Sequence, residues 1–210
     1  MRNERQLTAI IWWTAIVWAA VLLLQGTSIQ VAFFKPVSVV AGAVVLSLGG
    51  FDRWLWHWRL FAGWLVKRPD LRGTWEVELR SSWINPETGA AIAPIVGFLV
   101  ISQTYSGLGI RLLTAESESR LRGAEILSND DGTFDVVAVY QNEPKIAFRS
   151  RSQIHQGALK LSARGLPVNA LDGHYWTDRN TNGGIATTRR LAKAVTSFED
   201  AKVAFLGARR

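Results

Sequence analysis

A chain of 210 residues is long enough for one ordinary domain and an appendage, and its 48% hydrophobic content is that of a globular protein. It contains no cysteine, which excludes disulfides, thiolate metal sites and a thiol nucleophile. A formal charge of +7 points to anionic partners, whether lipid head groups, nucleic acid or a phosphorylated small molecule.

Residues 7–24 carry no charge over 18 positions, close to the roughly 20 residues that a helix needs to cross a bilayer core. The run is too long and too rich in tryptophan for a secretory signal, and no small-residue cleavage site follows Leu24, so it is expected to be retained. A second apolar run, 32–51, is interrupted only by Lys35 and Pro36 near its start. A lysine there can snorkel to the interface and a proline can occupy the first helical turn. The polar stretch 25–30 reads as a short turn between two spans, which makes residues 1–52 a transmembrane helical hairpin. Ser38 with Gly42, and Ala43 with Ser47, are small pairs at four-residue spacing that would let helices approach closely. Arg2 and Arg5 precede the first span, only Lys35 sits by the loop, and Arg53, Arg59, Lys67, Arg68 and Arg72 follow the second. The positive-inside rule then places both termini in the cytoplasm, with the protein multi-pass in a bacterial inner membrane.

In residues 53–69, Trp54, Trp58, Phe61 and Leu65 recur at helical spacing among basic residues. This predicts an interfacial helix or linker at the head groups. The same segment also reads as an extension of the second span.

From 70 to 190 the period changes to two. Trp75, Val77 and Leu79 alternate with Glu76, Glu78 and Arg80. Further strands are expected over 95–105, 109–114, 120–127, 134–141, 146–154, 158–163, 173–178 and 184–190, separated by short turns rich in Asn, Asp, Gly and Pro. The fold class expected is a membrane α-helical hairpin plus an all-β domain, an eight-stranded antiparallel meander β-barrel with a C-terminal helix. A sheet of that size closes to remove its edges, and about eight strands leave room for side chains or one small ligand. In residues 191–210, Val195, Phe198, Ala201 and Phe205 share one face opposite Lys193, Glu199 and Lys202. That amphipathic helix plugs the barrel, packs against it, or binds membrane through Lys202, Arg209 and Arg210.

No catalytic constellation emerges, so no enzyme activity and no cofactor are expected. His57, His155 and His174 lack a second ligand at metal spacing, and there is neither a phosphate-cradling loop nor a nucleophile elbow. What stands out is a polar and aromatic set. Tyr105 ends one expected strand, Thr114, Ser117 and Ser119 flank the next turn, and Tyr140 and Asn142 share a face. Tyr175, Thr177 and Arg179 alternate along one late strand and so project the same way. A nucleotide phosphodiester needs flat aromatic faces for its bases and hydroxyl and guanidinium donors for its phosphates. The opposite reading has these side chains facing water on an ordinary exterior.

The strings Leu71-Arg-Gly-Thr-Trp-Glu, Ile101-Ser-Gln-Thr-Tyr, Leu113-Thr-Ala-Glu-Ser-Glu-Ser, Tyr140-Gln-Asn-Glu-Pro, His155-Gln-Gly-Ala-Leu-Lys-Leu and Leu171-Asp-Gly-His-Tyr-Trp-Thr-Asp-Arg-Asn-Thr-Asn-Gly follow one another along the chain. Together with the apolar runs, they resemble the two-transmembrane, β-strand-rich effectors associated with cGAS/DncV-like nucleotidyltransferases in CBASS anti-phage operons. The resemblance covers nearly the whole chain. It implies a barrel that binds a cyclic dinucleotide or related cyclic oligonucleotide, a second messenger made by the cognate nucleotidyltransferase. It further implies a homo-oligomer whose assembly in the lipid bilayer disrupts the inner membrane of the infected cell, and no nucleic-acid polymer as partner. Two other classes remain: a membrane-tethered lipocalin-like carrier, which needs a deep apolar cavity, and a scaffold that recruits protein through its basic surface.

Overall fold

The structure is a computed structural model that describes residues 2–24, 31–61, 63–85, 88–165 and 167–208. The chain divides into two compact units, residues 1–55 and residues 56–210.

The first unit holds two helices, α1 (Arg2–Leu24) and α2 (Val31–Gly50), and α2 runs on into a five-residue π-helical turn, Phe51–Leu55. Both apolar runs therefore fold as helices, and the expected turn at 25–30 lies outside the described residues. Among the described residues, no helix is long and apolar enough to cross a membrane.

In the second unit, residues 56–66 do not form the expected interfacial helix. Gly63 takes a positive φ of 89°, and Val66 N donates to Phe61 O at 2.9 Å while Gly63 N donates to Val66 O at 3.1 Å, a tight reversal that no helix contains. Trp56 and Val66 turn inward and are buried, whereas Trp58, Leu60 and Trp64 stay exposed.

Eight strands follow: β1 (Gly73–Ser81), β2 (Ile95–Gln103), β3 (Leu108–Thr114), β4 (Ser117–Ser128), β5 (Phe134–Pro144), β6 (His155–Arg164), β7 (Ala170–Thr177) and β8 (Asn182–Leu191). Each pairs antiparallel with its neighbours in sequence, and β8 closes on β1, so the sheet is a closed meander barrel. Period-two alternation built it. Trp75, Val77 and Leu79 of β1, Leu99 and Ile101 of β2, Val136 and Ala138 of β5, and Leu159 and Leu161 of β6 all fall in one core cluster inside. The ladder is uneven. β4 and β5 share an eleven-pair register, from Ser117↔Pro144 to Ser128↔Phe134, with a bulge at Leu121/Gly123, while β3 and β4 pair only at Arg111↔Arg120, Leu112↔Ser119 and Leu113↔Glu118.

One of the nine expected strands, 146–154, is absent. Pro144 ends β5, Ile146–Phe148 forms a single 3-10 turn, and Ser152 N donates back to Phe148 O. The alternation of Ile146, Phe148 and Ile154 suggested a strand, yet Ile146 and Ile154 are exposed, so the spacing reflects no buried face. The expected strand 95–105 stops at Gln103, where Thr104–Gly107 turns with Thr104 N donating to Gly107 O at 2.9 Å.

One end of the barrel is filled. Leu71, Trp75, Ile101, Val168 and Leu171 pack there, and the buried Gln103 side chain accepts from Leu71 N and donates to Pro69 O, both at 2.9 Å. Arg190 lies with its guanidinium carbon 4.7 Å from the Trp75 ring centroid and donates to Arg72 O and Val168 O.

The last helix, α3 (Phe198–Gly207), is shorter than the 191–210 expected, because β8 continues to Leu191 and Ser197 caps the helix by accepting from Asp200 N. It packs outside the barrel and does not plug it: Val195, Ala201 and Phe205 bury against Phe98 and Val100, the outward residues of β2. Arg189 holds the helix end, donating to Phe205 O while its fork grips Glu76 at 2.8 and 2.9 Å.

Candidate functional site

The opposite end of the barrel is open and leads to a cavity of about 480 Å³. That lies within the roughly 300–1,000 Å³ of small-molecule sites. Its floor is apolar, formed by Leu99, Ile110, Leu121, Leu159 and Ile185. Its rim is polar, because the open end is where β3 and β4 turn through Thr114 and Ser117, where β5 ends after Asn142, and where β7 ends at Thr177.

Eight of the nine residues singled out from sequence surround this cavity: Thr114, Ser117, Ser119, Tyr140, Asn142, Tyr175, Thr177 and Arg179. The ninth, Tyr105, does not. It lies in the β2–β3 turn at the filled end, where Arg68 stacks on its ring and donates to its carbonyl at 2.8 Å. The strand expected to carry Tyr105 ends two residues earlier, at Gln103. Arg179 also differs from expectation. β7 ends at Thr177 and Arg179 stands in the following turn, which reverses at Asn180 with a φ of 56°, a conformation that asparagine tolerates.

Two tyrosines shape the wall. Tyr140 pairs across the ladder with Gly157, and Tyr175 with Gly183. A Cβ built on Gly157 would come within 2.5 Å of the Tyr140 ring, and one on Gly183 within 2.7 Å of the Tyr175 ring. Both rings therefore lean onto bare glycine backbone and leave the centre of the cylinder empty. Burial, reinforced by Tyr175 and Asp178 and opposed by Arg179, pushes the Tyr140 hydroxyl up to about 12, so it stays protonated and can donate.

Sequence reasoning missed several neighbours. His155, the first residue of β6, is buried beside the cavity, with Nδ1 3.0 Å from Gln153 O. Because a carbonyl only accepts, the neutral ring carries its proton on Nδ1 and offers Nε2 as an acceptor. Burial holds its pKa below the ordinary histidine value, with the Gln153 carbonyl raising it, Arg179 lowering it and Asp178 raising it. Ser119 stood out in the sequence but its tie did not: its Oγ donates to Asn142 Oδ1 at 2.8 Å, a buried pair. Trp83, Phe148 and Arg151 stand at the mouth. Phe148 and Arg151 belong to the segment read as a strand, which hid their place in a loop; the doublet of cation and ring three apart was the available signal.

Among the described residues, no group of three or more His, Cys, Asp or Glu side chains could hold a metal ion. What the arrangement offers is an apolar well, flat aromatic walls, hydroxyl and amide groups, and guanidinium groups at the rim.

Residues 66–189, from just before the barrel into its last strand, match the family described as Cap15, cyclic dinucleotide receptor domain. The chain belongs to the Cap15 receptor family. No curated protein matches it. For a Cap15 receptor domain the matched span encloses β1 to β7 and most of β8, so the cavity and its rim lie entirely within the part that carries the likeness. The leading helices α1 and α2 and the C-terminal helix α3 lie outside it.

Proposed function

We propose that the barrel is the sensor of a CBASS effector and binds a cyclic dinucleotide in its open end. The observation that carries this reading is the cavity itself: a well of about 480 Å³ whose rim brings together tyrosine, hydroxyl and guanidinium groups from four separate turns and strands. Family membership supports the same ligand class. The bases enter the apolar well against the tyrosine faces, and the phosphates meet Arg179, Thr177 and Ser117 at the rim. In this reading the protein is a sensor and not an enzyme.

We further propose that residues 1–52 anchor the protein in the bacterial inner membrane, that both termini and the barrel face the cytoplasm where the messenger is made, and that ligand binding promotes assembly of anchored protomers and loss of membrane integrity. Support comes from the uncharged run of 18 residues at 7–24, the second run at 32–51, and the basic residues flanking them. The side chains of 31–39 lie outside the described residues, so the second run is argued from sequence. The exposed Trp58, Leu60 and Trp64 beside Arg59 and Lys67 suit a head-group boundary. Assembly follows if the ligand prefers the assembled state.

The floor of the well is apolar enough to keep a lipocalin-like carrier as the second reading. Thermal denaturation of the detergent-solubilised chain separates the two. A cyclic dinucleotide at about 100 times its Kd adds about 2.7 kcal/mol. That raises the unfolding midpoint by roughly 5–10 °C, and fatty acids leave it unchanged. Arg179→Ala should weaken the nucleotide by about 1.5–3 kcal/mol. Stabilisation by fatty acids alone would overturn the reading.

A further inference from the structure

The rim of the cavity carries two arginines and one carboxylate: Arg179, Arg151 and Glu116. Arg179 Nη1 donates to Ser152 Oγ at 3.2 Å. Arg151 is ion-paired with Glu116, which stands in the short turn between β3 and β4, and its guanidinium carbon lies 4.9 Å from the Phe148 ring centroid. Ser152, Arg151 and Phe148 all belong to the loop between β5 and β6. That loop is thus held on one flank by Arg179 from the β7–β8 turn and on the other by Glu116 from the β3–β4 turn. Lys145 strengthens the second flank, its backbone N donating to Glu116 O at 2.8 Å and its Nζ to Ala115 O at 2.6 Å.

We propose that Arg151 is the second phosphate-binding arginine of the cavity, and that Glu116 is a built-in stand-in for a phosphodiester, holding Arg151 at the rim until the ligand displaces it. The inference rests on the cyclic dinucleotide reading and names the regulation of that same site.

Three observations support the exchange. A carboxylate and a phosphodiester both present two acceptor oxygens to the guanidinium fork, so Arg151 changes partner without changing its geometry. The existing pair is solvated, with the Arg151 and Glu116 side chains 61% and 51% exposed, and ion pairs of that kind are weak, so giving one up costs little. The Phe148 ring under Arg151 keeps the guanidinium plane oriented at the rim while its partner changes. A ligand with two phosphodiesters engages both arginines, whereas a ligand with one is held by Arg179 and leaves Arg151 on Glu116. Glu116 therefore sets a threshold of two phosphate groups. When both arginines turn to the ligand, the loop between β5 and β6 exchanges side-chain ties on both flanks for ties to the ligand, and its placement comes to report occupancy.

The test is calorimetric titration of the full detergent-solubilised chain with a panel of cyclic dinucleotides and with the corresponding nucleoside monophosphates, for wild type, Arg151→Ala and Glu116→Gln. Arg151→Ala should weaken the cyclic dinucleotide by about tenfold or more. Glu116→Gln should tighten it by about two- to fivefold and should improve binding of the monophosphates by at least as much, because the threshold is gone. Both side chains are exposed, and an unchanged unfolding midpoint of the free variants checks that the fold is intact. Wild-type binding with Arg151→Ala within twofold of it, or with Glu116→Gln weaker than it, overturns the exchange and leaves the nucleotide reading standing. Failure of the wild-type chain to bind any cyclic dinucleotide overturns both.

Discussion

At the level of single residues, His155 couples the cavity to pH. Its pKa in the folded protein lies below the ordinary value because burial disfavours the charged ring, while the unfolded chain titrates normally near about 6.5. The unfolded state therefore takes up the proton first, and stability present at neutral pH is lost as the pH falls from about 6.5 through the folded value. His155→Gln removes that dependence. Unfolding midpoints measured between about pH 7 and 5 should fall more steeply for wild type than for the variant, after the carboxylate contributions common to both are subtracted. The residues that frame this cavity differ in how readable they were. Tyr140 with Asn142, and Tyr175 with Thr177, share faces by a period of two, while Thr114, Ser117 and Ser119 were read from their place beside a turn; closure of the barrel turns all seven inward. Arg179 was read by that alternation and Tyr105 as the end of a strand, each beyond the point where its strand stops. For Arg179 the following turn returns the side chain to the rim; for Tyr105 the strand leads to the other end of the barrel. Gly157 and Gly183 carried no message until the ladder register set each against a tyrosine.

At the level of elements, the strands were legible because each alternates and each is bounded by turn residues, whereas the loop between β5 and β6 imitates a strand with Ile146, Phe148 and Ile154 at even spacing. Only three-dimensional closure shows that no ladder partner is left for it, since β5 and β6 already pair from Phe134↔Ala163 to Asn142↔His155. The segment at 56–66 failed for the opposite reason: its apolar spacing was helical, but Gly63 permits a reversal that buries Trp56 and Val66 instead of the expected stripe. Helix α3 was read correctly as amphipathic, though its periodicity could not choose between plugging and packing. The outward Phe98 decides, lying 5.3 Å from both the Phe198 and Phe205 rings. Phe205 is 2% exposed, so Phe205→Ala should cost about 3–5 kcal/mol if α3 is part of the folded unit. Chemical denaturation followed by tryptophan fluorescence measures it. A loss below about 1 kcal/mol would mean that α3 is dispensable to the barrel.

At the level of the whole molecule, the two compact units answer to two different patterns, long apolar runs before residue 55 and strand alternation after residue 70. The proposed topology gives them one compartment in common. A reporter fused after Arg210 should be active in the cytoplasm and silent when its chemistry demands the periplasm. Periplasmic activity would remove the barrel from the compartment in which a cytoplasmic nucleotide is made.

The packing of Leu71, Trp75, Val168 and Gln103 at one end of the cylinder has a kinetic corollary. A solute that enters a blind shaft must leave by the way it came, past the same loop between β5 and β6. Substitutions in that loop at positions that make no contact with the ligand, unlike Arg151, then speed or slow arrival and departure in parallel and leave the equilibrium almost untouched. Those at the bottom of the shaft lengthen or shorten residence alone.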